Sequence, residues 1–217
     1  MGGPDLNASP QRRIGLYGGS FDPPHMGHLV LAMTAVQHLK LDELRWIPAG
    51  VAWQKERTLL SATHRAGMVK AAITGHRGFK LDRREIERNG PSYTIDTVRE
   101  SQLAEPNAKW FLVIGQDQYE RLPTWHEWRE LITRVTLAVA GRDGKSPSPP
   151  SELLAVWHRI EALPMPPMNV SSTAIRAHLA AGGTAQSLVP DMVPTVVARY
   201  IDRYHLYAPP RGGVPAA

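Results

Sequence analysis

The chain has 217 residues, contains no cysteine and carries a formal net charge of +5 at pH 7. The lack of cysteine excludes a disulfide framework and a thiolate metal site. No apolar run has the length of a membrane span or the form of a signal peptide, so we expect a cytoplasmic globular protein without a membrane partner. Its positive charge is not gathered into basic blocks with interleaved aromatic residues. We therefore expect anionic small-molecule substrates and no nucleic acid.

Apolar runs alternate with segments of helical spacing, which is typical of α/β proteins with an open parallel sheet and helices on both faces. The sequence predicts strands at 13–17, 44–48, 79–82, 110–114 and 135–140, helices at 25–40, 61–73, 94–102 and 191–204, and a loop at 142–150. Ser61 and Asp191 are the predicted helix caps. We expect a single domain over 12–207 with a short helical C-terminal part, and flexible termini at 1–11 and 208–217.

The predicted strand order along the chain also predicts where a ligand binds. In open parallel sheets, ligands lie beyond the carboxyl ends of the strands. The segments that follow Tyr17, Pro48, Ile114 and Ala140 should therefore border one cleft.

The stretch from Gly18 to Leu29 reads Gly-Gly-Ser-Phe-Asp-Pro-Pro-His-Met-Gly-His-Leu and joins the first strand to the first helix. His25 and His28 stand three residues apart at the predicted helix start, where unpaired N–H groups and a partial positive charge attract phosphate. Taken singly, the glycines could form an ordinary turn and the histidines a metal pair. Their combination favours phosphate binding, and Gly27 would let a nucleotide lie against the backbone.

A second stretch, Val170-Ser171-Ser172-Thr173-Ala174-Ile175-Arg176, predicts a late helix start. Ser171 and Ser172 are good N-cap residues. The hydroxyls, the helix N-terminus and the Arg176 guanidinium could form a second phosphate cradle. The alternative is a capped helix with a solvated arginine.

These two stretches resemble the His-x-Gly-His and Ser-Ser-Thr-x-Ile-Arg motifs of the nucleotidyltransferase superfamily, which has a Rossmann-like core. Three further segments, 91–97, 114–117 and 122–128, make the chain similar to bacterial nicotinate-nucleotide adenylyltransferases from about Arg13 to Tyr207. The resemblance implies adenylyl transfer from ATP to nicotinate mononucleotide, giving deamido-NAD and pyrophosphate. We expect Mg²⁺ to enter with ATP, because it prefers phosphate oxygens and water to an all-protein cage. No carboxylate cluster in the sequence has the form of a dedicated metal site. Relatives in this family are often dimers, so the resemblance also implies a homodimer.

The resemblance further implies roles for individual residues. The residues implied in catalysis, through the phosphates, are His25, His28, Lys55 and Arg176. Those implied in ATP binding are Gly18, Gly19, His25, His28, Gly115, Asp117, Ser172, Thr173 and Arg176. Those implied in binding nicotinate mononucleotide are Ser20 and Phe21 through backbone N–H groups, Lys55, Tyr93, Thr94 and Trp125.

Simpler interpretations of these residues stay open at this point. Asp117 could cap a helix, Thr94 could do the same, and Trp125 could pack under its loop. Asp22 is expected to brace the glycine turn rather than to bind a metal. Lys55 could be a solvated loop residue.

The loop of Lys55 departs from the family pattern, because Ala52-Trp53-Gln54-Lys55 stands where many relatives have Pro-Pro-His-Lys. The replaced histidine leaves any role of that position open. Nicotinamide mononucleotide is the nearest alternative substrate. A phosphopantetheine or cytidine substrate and a catalytically silent nucleotide sensor are the more distant alternatives.

Overall fold

The computed structural model describes residues 11–50, 59–142 and 144–208. Its strands are β1 (Arg13–Gly19), β2 (Glu43–Pro48), β3 (Phe79–Leu81), β4 (Lys109–Gly115), β5 (Thr136–Ala140) and β6 (Ile160–Leu163). They form one parallel six-stranded sheet in the order β3-β2-β1-β4-β5-β6. The predicted parallel α/β architecture is therefore confirmed. The predictions for Trp53, Gln54 and Lys55, and for the termini beyond Gln11 and Ala208, fall outside the described residues.

Helices connect the strands and lie on both faces of the sheet. They are α1 (Met26–Leu39), α2 (Ala62–Ile73), α3 (Arg84–Glu87), α4 (Thr94–Ala104), α5 (Gln116–Arg121), α6 (Trp128–Arg134), α7 (Ser151–Leu154), α8 (Ser172–Ala180) and α9 (Thr195–Arg203). Short 3₁₀ turns occur at Leu122–Thr124 and Ala185–Leu188. No helix in these three ranges is both long and apolar enough to cross a membrane.

Alternate residues of the central strands pack into two different cores. Leu112 on β4 belongs to a core shared with α4, α5 and α6. Its neighbours Phe111 and Val113 belong to a core shared with α1 and α2 on the opposite face. A strand buried on both faces reads as an unbroken apolar run, which is why the sequence predicts β4 so clearly.

A third core binds the C-terminal helices to the rest of the molecule. It contains Met68 of α2, Ile175 of α8, and Val197 and Ile201 of α9. This core holds α8 and α9 beside the sheet without adding a strand to it. The expected short helical C-terminal part is present.

The structure corrects two predictions about the C-terminal third. The last helix begins at Thr195, four residues later than the predicted cap Asp191. Pro194 explains the delay, because proline disfavours helical backbone in the residue before it. The sequence also failed to indicate β6, whose Ile160, Glu161 and Ala162 are exposed and which therefore lacks the apolar run of an inner strand.

Candidate active site

A cleft of about 590 Å³ opens at the carboxyl ends of the central strands. It lies where the strand order turns from β1 to β4, the position at which open α/β sheets bind ligands. Backbone segments after β1, β2, β4 and β5 line it, as the sequence predicts. The predicted site residues along its walls are Gly18, Gly19, Ser20, His25, His28, Tyr93, Thr94, Gly115, Asp117 and Trp125.

Two glycines leave open space on the floor of this cleft. Gly18 lies next to the last residue of β1, and Gly115 is the last residue of the neighbouring β4. A Cβ atom built on either residue would have no heavy atom within 4 Å. Both positions therefore let a flat ligand approach the backbone. Gly27 has no such open space beside it, because a Cβ there would meet Val170 at 3.1 Å and the ring of His25 at 3.2 Å.

The two histidines of the first motif stack on one another at the start of α1. Their ring centroids are 3.7 Å apart and their planes differ by 29°. The backbone N–H of His25 donates a hydrogen bond of 3.0 Å to Nδ1 of His28. Because that nitrogen is an acceptor, a neutral His28 carries its proton on Nε2. The fold thus fixes the tautomer that can donate from Nε2 to a phosphate oxygen.

His25 is the N-cap residue of α1 and is held in its neutral form by its surroundings. Burial lowers the pKa of His25 from 6.5 to about 4. Its Nδ1 is buried and has no hydrogen-bond partner among the described residues.

The lowered pKa of His25 predicts a pH-dependent stability. Between pH 6.5 and about pH 4, His25 binds a proton in the unfolded chain but stays neutral in the folded protein. The contribution of this neutral ring to the free energy of unfolding is therefore fully present above pH 6.5 and is lost as the pH falls to 4. We expect the free energy of unfolding of His25→Asn to fall less steeply than that of the wild type between pH 6.5 and 4. Urea unfolding at several pH values measures this.

His38→Asn is the matched control, because His38 is exposed on the same helix. It should keep the wild-type slope. Equal slopes for wild type and His25→Asn would contradict the assigned protonation state.

The opposite wall of the cleft is built around the start of α4. Tyr93 is the N-cap residue, although its side chain makes no capping bond, and Thr94 opens the helix. The interpretation of Thr94 as the cap is therefore wrong. The ring of Tyr93 lies 4.3 Å from the ring of His126. Two aromatic rings thus stand beside a helix N-terminus with its partial positive charge.

Glu85 supports this wall from within the protein. Its side chain is buried, and Oε1 accepts a hydrogen bond of 2.9 Å from the Thr97 hydroxyl. Burial raises the pKa of Glu85, against the effect of that hydrogen bond. The carbonyl of Glu85 also accepts a 3.1 Å bond from the hydroxyl of Ser92. These bonds join α3 to the turn that leads into α4.

The position of Trp125 is compatible with both interpretations that the sequence left open, and its role in binding the mononucleotide stays a prediction. Its indole packs against the core of α4, α5 and α6, and it also lines the cleft. Its Nε1 is buried without a hydrogen-bond partner among the described residues. Trp128 lies in that same core, as expected.

The Gly-x-Asp segment after β4 places a carboxylate at the mouth of the cleft. Gly115 is the N-cap of α5, and the Asp117 carboxylate forms an ion pair with Arg142 instead of capping the helix. The Gln116 amide holds the loop that follows Arg142, because it donates to the carbonyl of Ser148 at 2.7 Å and accepts from its N–H at 3.0 Å. The predicted loop is thus anchored next to the cleft.

The second motif reaches the cleft only through Val170, and its polar side chains lie behind the first motif. Ser171 caps α8, and its side chain accepts from the N–H of Ala174 at 3.1 Å. Ser172 donates to the carbonyl of Pro23 at 2.9 Å. Arg176 donates to the carbonyl of Asp22 at 2.7 Å and to the hydroxyl of Thr173 at 3.1 Å. The fold brings the two motifs together, and the roles of these residues in ATP binding stay predictions.

Phe21 and Asp22 occupy the turn between Gly19 and α1. The Phe21 side chain is fully buried, so any ligand contact from it would come from its backbone, as expected. Asp22 is also fully buried, and its carboxylate accepts a hydrogen bond from Tyr207 at 2.6 Å. That contact fits the bracing role predicted for Asp22. The residues that the structure describes include no group of three or more His, Asp or Glu side chains that could hold a metal.

Residues 16–178 match the Cytidylyltransferase-like family profile. The chain is 45% identical over 198 residues to a probable nicotinate-nucleotide adenylyltransferase of Albidiferax ferrireducens, covering 90% of this chain and 98% of the relative. It is also 45% identical over 201 residues to a probable nicotinate-nucleotide adenylyltransferase of Bordetella pertussis, with the same coverage. The chain belongs to the nicotinate-nucleotide adenylyltransferase family.

The fold is also that of solved structures of this family. The nicotinic acid mononucleotide adenylyltransferase of Plasmodium falciparum complexed with NaAD matches with a TM-score of 0.74 at 18% identity, over 91% of this chain and 98% of that one. The structure of the same enzyme complexed with APC gives a TM-score of 0.72 at 18% identity, with the same coverage. The predicted Rossmann-like fold is therefore confirmed.

Sequence reasoning missed several residues along the cleft of this adenylyltransferase-family chain. Met165, Pro166 and Met168 follow β6, and the rule of strand carboxyl ends would have placed them there had β6 been recognised. Glu85 gave no signal, because it stands in the charged stretch Asp82-Arg83-Arg84-Glu85 that reads as solvated surface. The sequence places Arg142 in a loop but does not indicate that this residue lines the cleft.

Proposed function

We propose that this chain transfers the adenylyl group of ATP to nicotinate mononucleotide, giving deamido-NAD and pyrophosphate. The single observation that carries the proposal is the composition of one cleft. A His-x-Gly-His helix start, a Gly-x-Asp strand end and an aromatic wall at a second helix start line the same 590 Å³ space. Relatives that are 45% identical over 90% of this chain are named for this activity.

The reaction needs no nucleophile from the protein. A phosphate oxygen of the mononucleotide attacks the α-phosphorus of ATP and forms the new phosphorus–oxygen bond. The bond from the α-phosphorus to the bridging oxygen breaks, and pyrophosphate leaves with that electron pair. Catalysis then consists of holding the two substrates in line and stabilising negative charge on the phosphates.

The start of α1 supplies donors for that charge. His28 donates from Nε2, because its Nδ1 is already engaged by the backbone of His25. His25 enters the reaction neutral, and phosphate oxygens on its side of the cleft favour uptake of a proton. Arg176 and Lys55 are proposed for the oxygens that become pyrophosphate, with Ser172 and Thr173 beside them. For this, Arg176 has to share or give up its bonds to the carbonyl of Asp22 and the hydroxyl of Thr173. Lys55 lies outside the described residues.

The start of α4 is proposed to select the acid over the amide. A carboxylate carries the negative charge that a helix N-terminus favours, whereas an amide does not. Thr94 opens this helix and Tyr93 lines the cleft beside it. Trp125 offers a flat apolar surface for the pyridine ring.

Gly115 and Asp117 are proposed to bind the ribose of ATP. A carboxylate can accept hydrogen bonds from two ribose hydroxyls. The carboxylate of Asp117 is exposed and paired with Arg142 across the mouth of the cleft. Ribose hydroxyls therefore have to share or displace that ion pair.

Mg²⁺ is proposed to enter bound to the phosphates of ATP. It prefers phosphate oxygens and water to an all-protein cage. The cleft offers imidazole and backbone groups near the start of α1, while buried Asp22 is bonded to Tyr207. The ion would neutralise charge on the leaving pyrophosphate.

The experiment that tests this function measures pyrophosphate release from ATP and Mg²⁺ with nicotinate mononucleotide and nicotinamide mononucleotide offered in parallel. We expect kcat/KM for the acid to exceed that for the amide by about tenfold or more, equivalent to about 1.4 kcal/mol. The same assay without an acceptor provides the background rate.

Each other result has a definite meaning. Equal use of both acceptors, or preference for the amide, would overturn the proposed acid pocket at α4 and leave adenylyl transfer in place. No release with either acceptor, together with binding of ATP, would show that the chain is a catalytically silent nucleotide-binding protein and not an enzyme.

We also propose that the chain acts in the cytoplasm and forms a homodimer. The lack of cysteine and the absence of a spanning helix among the described residues are consistent with the first. Sedimentation of the purified protein tests the second.

A further inference from the structure

Residues from the C-terminal part hold the loop between β1 and α1 from outside the cleft. Ser172 and Arg176 donate to the carbonyls of Pro23 and Asp22. The N–H of Met26, the first residue of α1, donates to the carbonyl of Met192 at 2.9 Å. The loop that leads to the two histidines is therefore fixed by groups that lie far from it in the sequence.

A fourth contact from this region reaches a side chain of the loop. The hydroxyl of Tyr207 donates to Oδ1 of Asp22 at 2.6 Å, across 185 residues of sequence. Asp22 has no exposed surface. A buried carboxylate is costly unless it accepts hydrogen bonds, and a bond to its charged form is stronger than one between neutral groups. The Tyr207 hydroxyl thus meets a requirement created by burying Asp22.

The backbone of the turn that follows α9 is bent so that Tyr207 reaches Asp22. Tyr207 has φ +65° and His205 has φ +50°, both in the left-handed region that side chains other than glycine seldom adopt. Leu206 is buried, and its N–H donates to the carbonyl of Ile201 at 3.0 Å. The Tyr207 ring packs against the core of α2, α8 and α9. Such backbone persists where surrounding contacts determine it, often at functional sites.

We infer that Tyr207 is a positioning residue for the phosphate loop. Its hydroxyl acts through Asp22, and neither residue is among those that line the cleft. Asp22 lies three residues before His25, so its position sets where the N-cap histidine and the first N–H groups of α1 meet the phosphates. The inference rests on the proposed function of that loop. An error of about 1 Å in such a group can reduce a rate by about 100-fold.

Tyr207→Phe tests this inference, because it removes the hydroxyl and keeps the ring. We expect kcat/KM for pyrophosphate release to fall by about tenfold or more, and the dissociation constant of a non-hydrolysable ATP analogue, measured by calorimetry, to rise by about threefold or more. A role in stability alone would lower the melting temperature and the active fraction, and would leave KM and that dissociation constant unchanged.

Tyr204→Phe is the matched control. Tyr204 belongs to the same turn, is 46% exposed, and its ring lies 5.3 Å from that of His64. This variant should keep the wild-type KM, kcat and analogue affinity. Wild-type-like values in Tyr207→Phe, or equal losses in both variants, would overturn the inference.

A double-mutant cycle with Asp22→Asn separates the hydrogen bond from other effects. If Tyr207 acts through Asp22, the double variant should lose no more than the worse single variant in kcat/KM and in analogue affinity. Additive losses would overturn the inference. Because analogue binding needs no acceptor, the cycle can be read even if neither mononucleotide proves to be a substrate. Asp22→Asn also provides the test if Tyr207→Phe does not fold.

Discussion

Replacing His28 by alanine should lower kcat for pyrophosphate release by about 100-fold or more, which is the typical loss when one preorganised donor to transition-state charge is removed. The physical reason is the fixed tautomer, since the bond from the His25 backbone to Nδ1 leaves Nε2 as the donor. The KM of ATP should change much less than kcat, because charge on the phosphates builds up in the transition state. Steady-state assays with ATP and nicotinate mononucleotide measure both constants.

His38→Ala is the control for this variant. His38 lies near the other end of the same helix with its side chain exposed. It should retain wild-type kcat, and both variants should melt cooperatively. Turnover close to wild type in His28→Ala would remove His28 from the mechanism.

Replacing Arg65 by methionine should lower the free energy of unfolding by about 3–5 kcal/mol, because three half-buried carbonyls would lose a charged donor, and a hydrogen bond to a charged group contributes about 1.5–3 kcal/mol. Arg65 lies on α2 and is only 2% exposed. Its guanidinium donates to the carbonyls of Leu60 at 2.9 Å, Ser20 at 3.0 Å and Ala49 at 2.7 Å. Urea unfolding measures the loss, which is a large share of the stability of a typical domain.

The loss of these hydrogen bonds in Arg65→Met should also disturb the cleft, because Ser20 follows β1 and Ala49 follows β2 at its edge. Arg77→Met is the control, since Arg77 is exposed beyond the end of α2. It should change the free energy of unfolding by no more than about 0.5 kcal/mol. A similarly small change in Arg65→Met would show that these three bonds contribute little.

The sheet could be predicted because its inner strands are buried on both faces and read as unbroken apolar runs. β4 and β5 are the clearest examples. The sixth strand could not be predicted, since an edge strand with exposed Ile160 and Glu161 lacks that pattern. Short helices such as α3 and α7 were missed for a similar reason, because four residues are too few to show helical periodicity.

In the candidate site, too, some features could be predicted from the sequence and others could not. The rule of strand carboxyl ends predicted that His25 and Asp117 border one cleft, because it depends only on the order of strands and the residues that follow them, whereas Thr94 was expected there only from the family resemblance. The hydrogen bonds among those residues could not be predicted. The bond from the His25 backbone to His28 and the pairing of Asp117 with Arg142 depend on side-chain conformations. The bond from Tyr207 to Asp22 depends on where the chain returns after 185 residues.

That last bond has a consequence for how the protein is made. A ribosome adds about 5–20 residues per second, so Asp22 is synthesised about 10–40 s before Tyr207. β1 and β2 can pair during that time, but the loop between β1 and α1 still lacks the partners that fix it from outside. A nascent chain therefore carries both histidines long before it holds them in place. If the loop acts as proposed, it takes up its final position for phosphate only after Tyr207 has been made and its turn folds back onto Asp22.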